Sequence, residues 1–434
     1  MRRLIWIIMI YALSAAFIGC GGSRHSGGNG SNTGGDSSPV KQVIASYFTA
    51  YYDAQKSLTE ATLTEILADN DNIRLNEAFR SVELEKKKLF NTAISDYSYQ
   101  IKYKNVNITE NTAAIDLILD LDYYCANSPD VKSGIYNVNY SFTLKNNGNK
   151  WVITGIDSDL DEFKIFKDKV EQKSGTKSLA ISSQADAILQ AKKAMISQFQ
   201  EVAQSINQSD SAVNHSSEPD NSNNTAIVNS IYHVYTNYSY SPSLASAYAQ
   251  KYAKASSSSR IFYTAYWNGS EVDCTNFVSQ CVWAGYGGYV ESSTNQTNSN
   301  ISNMVRMVSG VWYGGSGGGS ENWEEVPDFF TYMVSSKVLG PQAVTDFSNY
   351  NARHYYDEDN KVTPASIKVG DVIQYWKDGK YCHSSIVSVK GSRYTQIKVC
   401  YHTSDNLNKP LADMLAWTPY IRRLTPLSSR PFAK

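Results

Sequence analysis

The chain has 434 residues, 42% of them hydrophobic and 19% charged, which suits two or three folded domains and excludes a disordered polypeptide. Lys and Arg number 40 against 41 Asp and Glu, a formal net charge of −1, and no basic patch, zinc-finger, helix-turn-helix or RNP-like pattern stands out; this argues against nucleic acid as a partner. Tyrosine is frequent, at 31 residues, and supplies rigid amphipathic surface suited to carbohydrate or peptide ligands, or to a core.

The first residues read as an address. Arg2 and Arg3 precede an apolar stretch from Leu4 to Phe17, the proportions of a signal peptide. Phe17-Ile18-Gly19-Cys20 resembles the bacterial lipobox, with Phe17 where leucine is usual. That resemblance implies a signal peptide over 1–19, lipidation of Cys20, and a protein anchored by lipid on the extracytoplasmic face of the membrane. The alternative, an uncleaved transmembrane anchor, is disfavoured because the apolar run falls short of the ~20 residues a span requires. Loss of Arg2 and Arg3 would leave 38 cationic against 41 acidic residues, a net of about −3. Residues 20–39 are Gly, Ser and Asn with almost nothing to bury, a flexible tether.

An α+β accessory domain is expected over 40–170. Val40–Ala54, Leu58–Ala68 and Leu75–Ile94 have helical periodicity. Strands follow over Tyr99–Asn107, Asn111–Tyr124, Ile135–Leu144 and Trp151–Ile156. The last two flank Lys145-Asn146-Asn147-Gly148-Asn149, a hairpin signal because Asn-Gly accepts positive φ. Helices followed by a curled antiparallel sheet resemble the cone-like fold of the nuclear-transport-factor-two superfamily. No catalytic constellation is visible there, which favours a spacer or binding role.

Gln184–Asn207 is expected to form a connecting helix, with Ile188, Leu189, Ala191 and Met195 on helical spacing, and 208–225 a polar linker. A second domain is expected over 226–434. In it Ser241-Pro242-Ser243 caps a helix from Leu244 to Ala255, ended by Ser256–Ser259. A further helix begins at Cys274, Gly285–Ser302 and Gly314–Ser320 read as loops, and Pro327–Met333 as a short helix with Pro at its first position. Strands follow Lys368.

Six cysteines are present: Cys20, Cys125, Cys274, Cys281, Cys382 and Cys400. With Cys20 assigned to lipid the remainder is odd, so at least one thiol is free or pairs between chains. In Val272-Asp273-Cys274-Thr275-Asn276-Phe277-Val278-Ser279-Gln280-Cys281, Asp273 is a favoured N-cap residue, and Phe277, Val278, Cys281 and Val282 form one helical face. Cys274 then sits at the first turn of a buried helix, where free N–H groups and the helix dipole stabilise a thiolate and an oxyanion. Cys281 fits an ordinary core cysteine.

Tyr381–Val389 alternates as a strand with His383, Ser385, Val387 and Val389 on one face. Gln396–Thr403 is the next strand, with Lys398, Cys400 and His402 on one face. A hairpin centred between Ser392 and Arg393 sets His383 opposite His402; a shift of two sets it opposite Cys400. Two imidazoles are therefore expected on one sheet, one orienting the other. Cys274, Cys382, His383, Cys400 and His402 are also zinc-type ligands, but no CxxC or HExxH spacing supports a metal site, and no cofactor is implied.

Asp273-Cys274-Thr275-Asn276-Phe277-Val278-Ser279-Gln280 and His383-Ser384-Ser385-Ile386-Val387 resemble the bacterial "putative amidase domain" family, related to the NlpC-type and CHAP cell-wall hydrolases of the papain-like clan. The likeness runs from about Tyr232 to Tyr420. It takes in Ala247-Tyr248-Ala249, Trp312, Asn322-Trp323 ahead of Phe329-Phe330, and Gly370-Asp371-Val372-Ile373-Gln374-Tyr375. The resemblance implies a papain-like layout, with a helix-borne nucleophile against a small antiparallel sheet. By residue it implies Cys274 as nucleophile, His383 as base and His402 as third member, with Asp405 and Asn406 as alternatives. It places the Cys274 backbone N–H, helped by Asp273 or Gln280, at the oxyanion. The expected activity is hydrolysis of amide bonds through a thioester, with peptidoglycan or a peptide as substrate; the alternative is a catalytically silent lipoprotein that binds wall peptide or a partner.

Overall fold

The structure, a computed structural model, describes residues 38–148, 150–175, 184–212, 235–254, 266–267, 270–271, 273–315, 318–345, 362–418 and 420–433. The expected signal peptide, Cys20 and all but the last two residues of the expected tether lie outside the described residues, as do 213–225 of the expected linker and Ser256–Ser259.

Two helices open the described chain, Pro39–Ser57 and Asp71–Leu89. The second is capped by Asn70, whose side chain accepts from the Ile73 N–H. Four long antiparallel strands follow, Ile94–Ile108, Thr112–Cys125, Ser128–Asn146 and Trp151–Ser158. Their burial alternates, so Ile115, Leu117, Leu119 and Leu121 line one face, against Phe48 and Phe142. The hairpin at Lys145–Asn149 forms around Gly148, whose φ of +90° is open to glycine without steric cost.

Leu58–Ala68 is not helical. Leu58 takes a positive φ of +56°, and Leu67 instead forms a parallel bridge with Ile153. Tertiary pairing thereby overrides a local periodicity over a short run. The sequence reading also passed over a helix at Asp161–Gly175, which buries Phe163, Phe166 and Val170. The connecting helix runs Gln184–Ala212, five residues past its expected end.

In the second half, Ser241 caps Pro242–Tyr252 through the Leu244 N–H, and Cys274–Gly285 is buried along its whole length. The stretch read as a loop from Gly285 contains a helix, Thr294–Ser302, started by Ser293 accepting from the Gln296 N–H. Val326–Val334 is a helix as expected. The strands Val372–Lys377, Lys380–Val389, Lys398–Tyr401, Asp405–Pro410 and Tyr420–Pro426 then pair antiparallel, with Ala343–Thr345 at the outer edge.

The fold is mixed α and β around an antiparallel sheet, and that sheet crosses both halves of the chain. Asp405, Asn406 and Leu407 pair with Tyr136, Ile135 and Gly134, so ten described strands share one sheet. One apolar cluster reaches from Phe48 and Phe142 to Tyr375, Val387, Tyr401 and Trp417. The other, on the opposite face of the later strands, holds Val282, Trp283, Trp312, Trp323, Ile386 and Leu424.

The seam between the halves is charged. Lys87 Nζ lies 2.7 Å from Asp413 Oδ2, and Thr92 donates to Asp413 Oδ1 at 2.7 Å. Burial opposes the Asp413 carboxylate, yet Lys87 and Lys86 outweigh it and hold its pKa far below the ordinary value. Lys409 pairs with Glu162 across the same seam, and both are buried.

Candidate active site

Cys274 is the first residue of its helix and is 1% exposed. Asp273 precedes it as the boundary residue, but its side chain makes no cap hydrogen bond. The carboxylate is engaged elsewhere: Oδ1 accepts from Asn276 Nδ2 at 2.7 Å, and Oδ2 meets His402 Nδ1 at 2.7 Å. The N–H groups of the first helical turn are therefore left without that carboxylate.

Sheet register decides what faces Cys274. The ladder between Lys380–Val389 and Lys398–Tyr401 joins Ile386 to Cys400, Val387 to Val399 and Val389 to Lys398, and stops there. The earlier part of the first strand runs past its neighbour. The helix start occupies that gap, and the Ser384 backbone N–H donates to Cys274 Sγ. Thr275 Oγ1 lies 3.8 Å from Sγ and 3.2 Å from Ser384 Oγ. Gln374 donates to Ser384 Oγ at 3.1 Å, while Arg422 Nε donates to Gln374 Oε1 at 2.7 Å. A buried polar chain thus leads from Arg422 to the thiol. None of Thr275, Ser384, Gln374 or Arg422 stood out as a functional residue in the sequence; the signal was a run of polar residues on otherwise apolar strand and helix faces.

Burial pushes the Cys274 thiol up to about 11, against the Ser384 N–H and the Thr275 hydroxyl, which pull it down; Asp273 and Cys382 add to the rise. The thiol is therefore protonated at neutral pH in this arrangement.

His383 sits on the Lys380–Val389 strand beside a β-bulge, paired with Tyr375. Its ring meets that of Tyr401 edge-on at 4.7 Å. Nε2 is buried without a hydrogen-bond partner. Burial, then Lys409, press its pKa down to about 4, with Glu162 acting the other way. Cys274 and His383 wall one cleft of about 500 Å³, which Tyr375, Tyr401, Glu162, Ile165 and Trp417 also line. No hydrogen bond joins the two. Among the described residues no group of three or more His, Cys, Asp or Glu is placed to hold a metal.

His402 is not beside His383. The hairpin register differs from one that would set the two imidazoles opposite each other: Ile386 faces Cys400, and the ladder ends before either histidine. His402 lies against the Cys274 helix, its ring stacked on Phe277 at 3.8 Å. Its Nδ1 meets Asp273, and Nε2 lies 2.9 Å from the Tyr252 carbonyl. Both ring nitrogens are thus engaged, and neither is directed at Cys274 or His383. Of the two alternatives for the third member, Asp405 is engaged elsewhere, while Asn406 keeps a buried Oδ1 without a hydrogen-bond partner. Asp405 Oδ2 accepts from Asn137 Nδ2 at 2.7 Å, and Asn406 Nδ2 donates to the Ser404 carbonyl at 2.6 Å. Gln280 is buried, with Oε1 accepting from Tyr248 at 2.8 Å.

No curated protein matches the chain. Among solved structures, the Kfla4162 protein from Kribbella flavida is similar at 14% identity over 27% of this chain and 88% of that one, with a TM-score of 0.20. Residues 239–424 match the family model of the putative amidase domain, a region that holds the Cys274 helix and the strand of His383 but not Glu162 and Ile165 of the cleft.

Proposed function

We propose that the chain is a cysteine-dependent hydrolase of amide bonds, with Cys274 as nucleophile and His383 as base, tethered to the extracytoplasmic face of the membrane through Cys20 and acting on peptidoglycan. The observation that carries the reading is the helix-start thiol that accepts an N–H from Ser384 and shares a cleft with an imidazole whose Nε2 is unpartnered. Its support from comparison is the amidase family model over 239–424. A papain-like arrangement of helix and sheet accords with this pairing, and a cone-like accessory half accords with the helices and curled strands before Ser158.

Thiol and imidazole are both neutral at rest, so proton transfer accompanies attack. As Cys274 Sγ bonds to the amide carbon, its proton passes to His383, and the carbonyl electron pair moves onto oxygen. Free N–H groups at the helix start, that of Cys274 first, are suited to hold that oxyanion. Collapse re-forms the carbonyl, breaks the C–N bond, and returns the proton from His383 to the departing amine. Water, deprotonated by His383, then attacks the thioester, which releases the acid and restores the thiol.

A second reading is a catalytically silent lipoprotein that binds wall peptide or a partner. It draws on the thiol raised to about 11 and on the missing Cys274–His383 hydrogen bond. The test is digestion of purified cell wall by the full chain, with Cys274→Ala as control and new amino termini identified by mass spectrometry. Termini released by the native chain and absent from the control support the hydrolase; none from either supports the silent reading.

A further inference from the structure

We propose that Glu162, on the Asp161–Gly175 helix of the first half, is the positioning residue for His383. The inference rests on the reading of Cys274 and His383 as nucleophile and base, and adds a member that the amidase-matching segment does not contain.

His383 Nε2 and Glu162 Oε2 are two of three buried atoms left without hydrogen-bond partners on the walls of the same cleft, the third being Trp417 Nε1. The first two are complementary, one a ring nitrogen able to donate and the other a carboxylate oxygen able to accept. Orphaned buried polar atoms are uncommon in folded proteins, and a donor and an acceptor on the walls of one cleft can satisfy each other through a bond made when a ligand fills it. In the second half His402 is committed to Asp273 and Asp405 to Asn137, while Asn406 keeps an unpartnered Oδ1 but does not line the cleft that holds His383.

Glu162 is held in the form the role needs. Burial alone would protonate it, but Lys409 and Lys86 keep its pKa below the ordinary value. Its Oε1 pairs with Lys409, whose Nζ also donates to the Tyr401 hydroxyl at 2.9 Å. The Tyr401 ring is the one that meets His383 edge-on. Lys409 and Tyr401 thereby fix the carboxylate and one side of the imidazole together. A bond from Nε2–H to Glu162 Oε2 leaves Nδ1 unprotonated, ready to take the proton of Cys274. The charged and titratable groups facing His383 are then Glu162 and Lys409 on one side, Tyr375 and Tyr401 on the flanking strands, and Cys274 on its helix.

The test uses the full chain, with nitrogen-resolved NMR of the imidazoles and His383→Gln to assign the signal. The native protein should show His383 protonated at Nε2. Glu162→Gln should erase that tautomer preference, move the ring titration down by about one pH unit, and slow iodoacetamide labelling of Cys274 at least about tenfold. Glu162→Asp should restore part of both. Glu162→Gln leaves Lys409 unpaired, so Glu162→Gln/Lys409→Met, which removes both charges, guards against simple unfolding and should show the same losses. A native Nδ1–H tautomer, or a folded double variant that keeps the native tautomer and labelling rate, overturns the proposal. Failure of the underlying reading looks different: the native chain would release no more new amino termini from purified cell wall than Cys274→Ala does, whatever the histidine signal shows.

Discussion

His402 Nδ1 lies 2.7 Å from Asp273 Oδ2, and this bond ties the residue immediately before the nucleophile to the far end of the strand Lys398–Tyr401. Tyr252 holds the other ring nitrogen at 2.9 Å, and Phe277 covers the ring face. The start of the Cys274 helix is thus tied through His402 to two other elements, the strand Lys398–Tyr401 and the helix Pro242–Tyr252. A helix that presents a thiol to a fixed position needs such anchoring, because displacements near 1 Å are costly in covalent catalysis.

This tie gives His402 a role in stability rather than in proton transfer. Asp273→Ala orphans His402 and Asn276 Nδ2 together and is expected to cost about 2–4 kcal/mol, read by urea denaturation. His402→Gln, which retains a donor toward Asp273, should cost less. It should also leave the pH profile of Cys274 alkylation in place; a shift of that profile by a full unit would return His402 to the catalytic set.

The polar chain from Arg422 to the thiol carries a second prediction. Thr275→Val removes a hydroxyl that lowers the Cys274 pKa while keeping the side chain's shape. Iodoacetamide labelling at fixed pH should slow by about threefold to tenfold, since one pKa unit is about 1.4 kcal/mol. Gln374→Leu should act in the same direction by freeing Ser384 to reorient.

Stability should depend on pH through the two cleft residues with opposite signs. The folded pKa of His383 is lowered from 6.5 to about 4, so the unfolded chain takes up its proton first as pH falls. Stability from this residue is present above pH 6.5 and drains away down to about pH 4, by at most about 3 kcal/mol. The Cys274 pKa is raised from 9.0 to about 11, so its contribution is present below pH 9.0 and is lost as pH rises toward 11. Denaturation curves of the native chain against His383→Gln and Cys274→Ala at several pH values isolate each slope.

Across the seam, Asp413→Ala should strand Lys87 in a buried site and cost about 3–5 kcal/mol. Removing both charges, as Lys87→Met/Asp413→Leu, should cost markedly less than the single change. Equilibrium denaturation of the two variants decides it; equal losses would mean that packing at Asp413, and not the stranded charge, sets the cost.

The second half of the fold was readable where local chemistry dominates. Ser241 before Pro242, the apolar face of Phe277, Val278, Cys281 and Val282, and the alternation of Lys380–Val389 all left clear patterns, and each element forms. What could not be read was register and long-range pairing. The bulge at Tyr375 and the early end of the Ile386–Cys400 ladder moved His402 away from His383, and nothing local announces either. The Asp161–Gly175 helix is harder to read although Phe163, Phe166 and Val170 stand at helical spacing, because charged residues fill most of the positions between them and no capping residue stands directly before Asp161. The polar site residues Thr275, Ser384 and Gln374 look ordinary one at a time; only the fold shows that they are one chain of hydrogen bonds.

The shared sheet also sets the order in which the cleft can come into being. Asn137 and Asp405, joined at the strand that bridges the halves, are 268 residues apart in the chain. Contacts of that separation close late, after local helices and hairpins have formed. A growing polypeptide therefore exposes the Cys274 helix before the strands that carry His383 and Asp405 have been made. The thiol meets Ser384 and the buried polar residues behind it only after those later strands have joined the sheet.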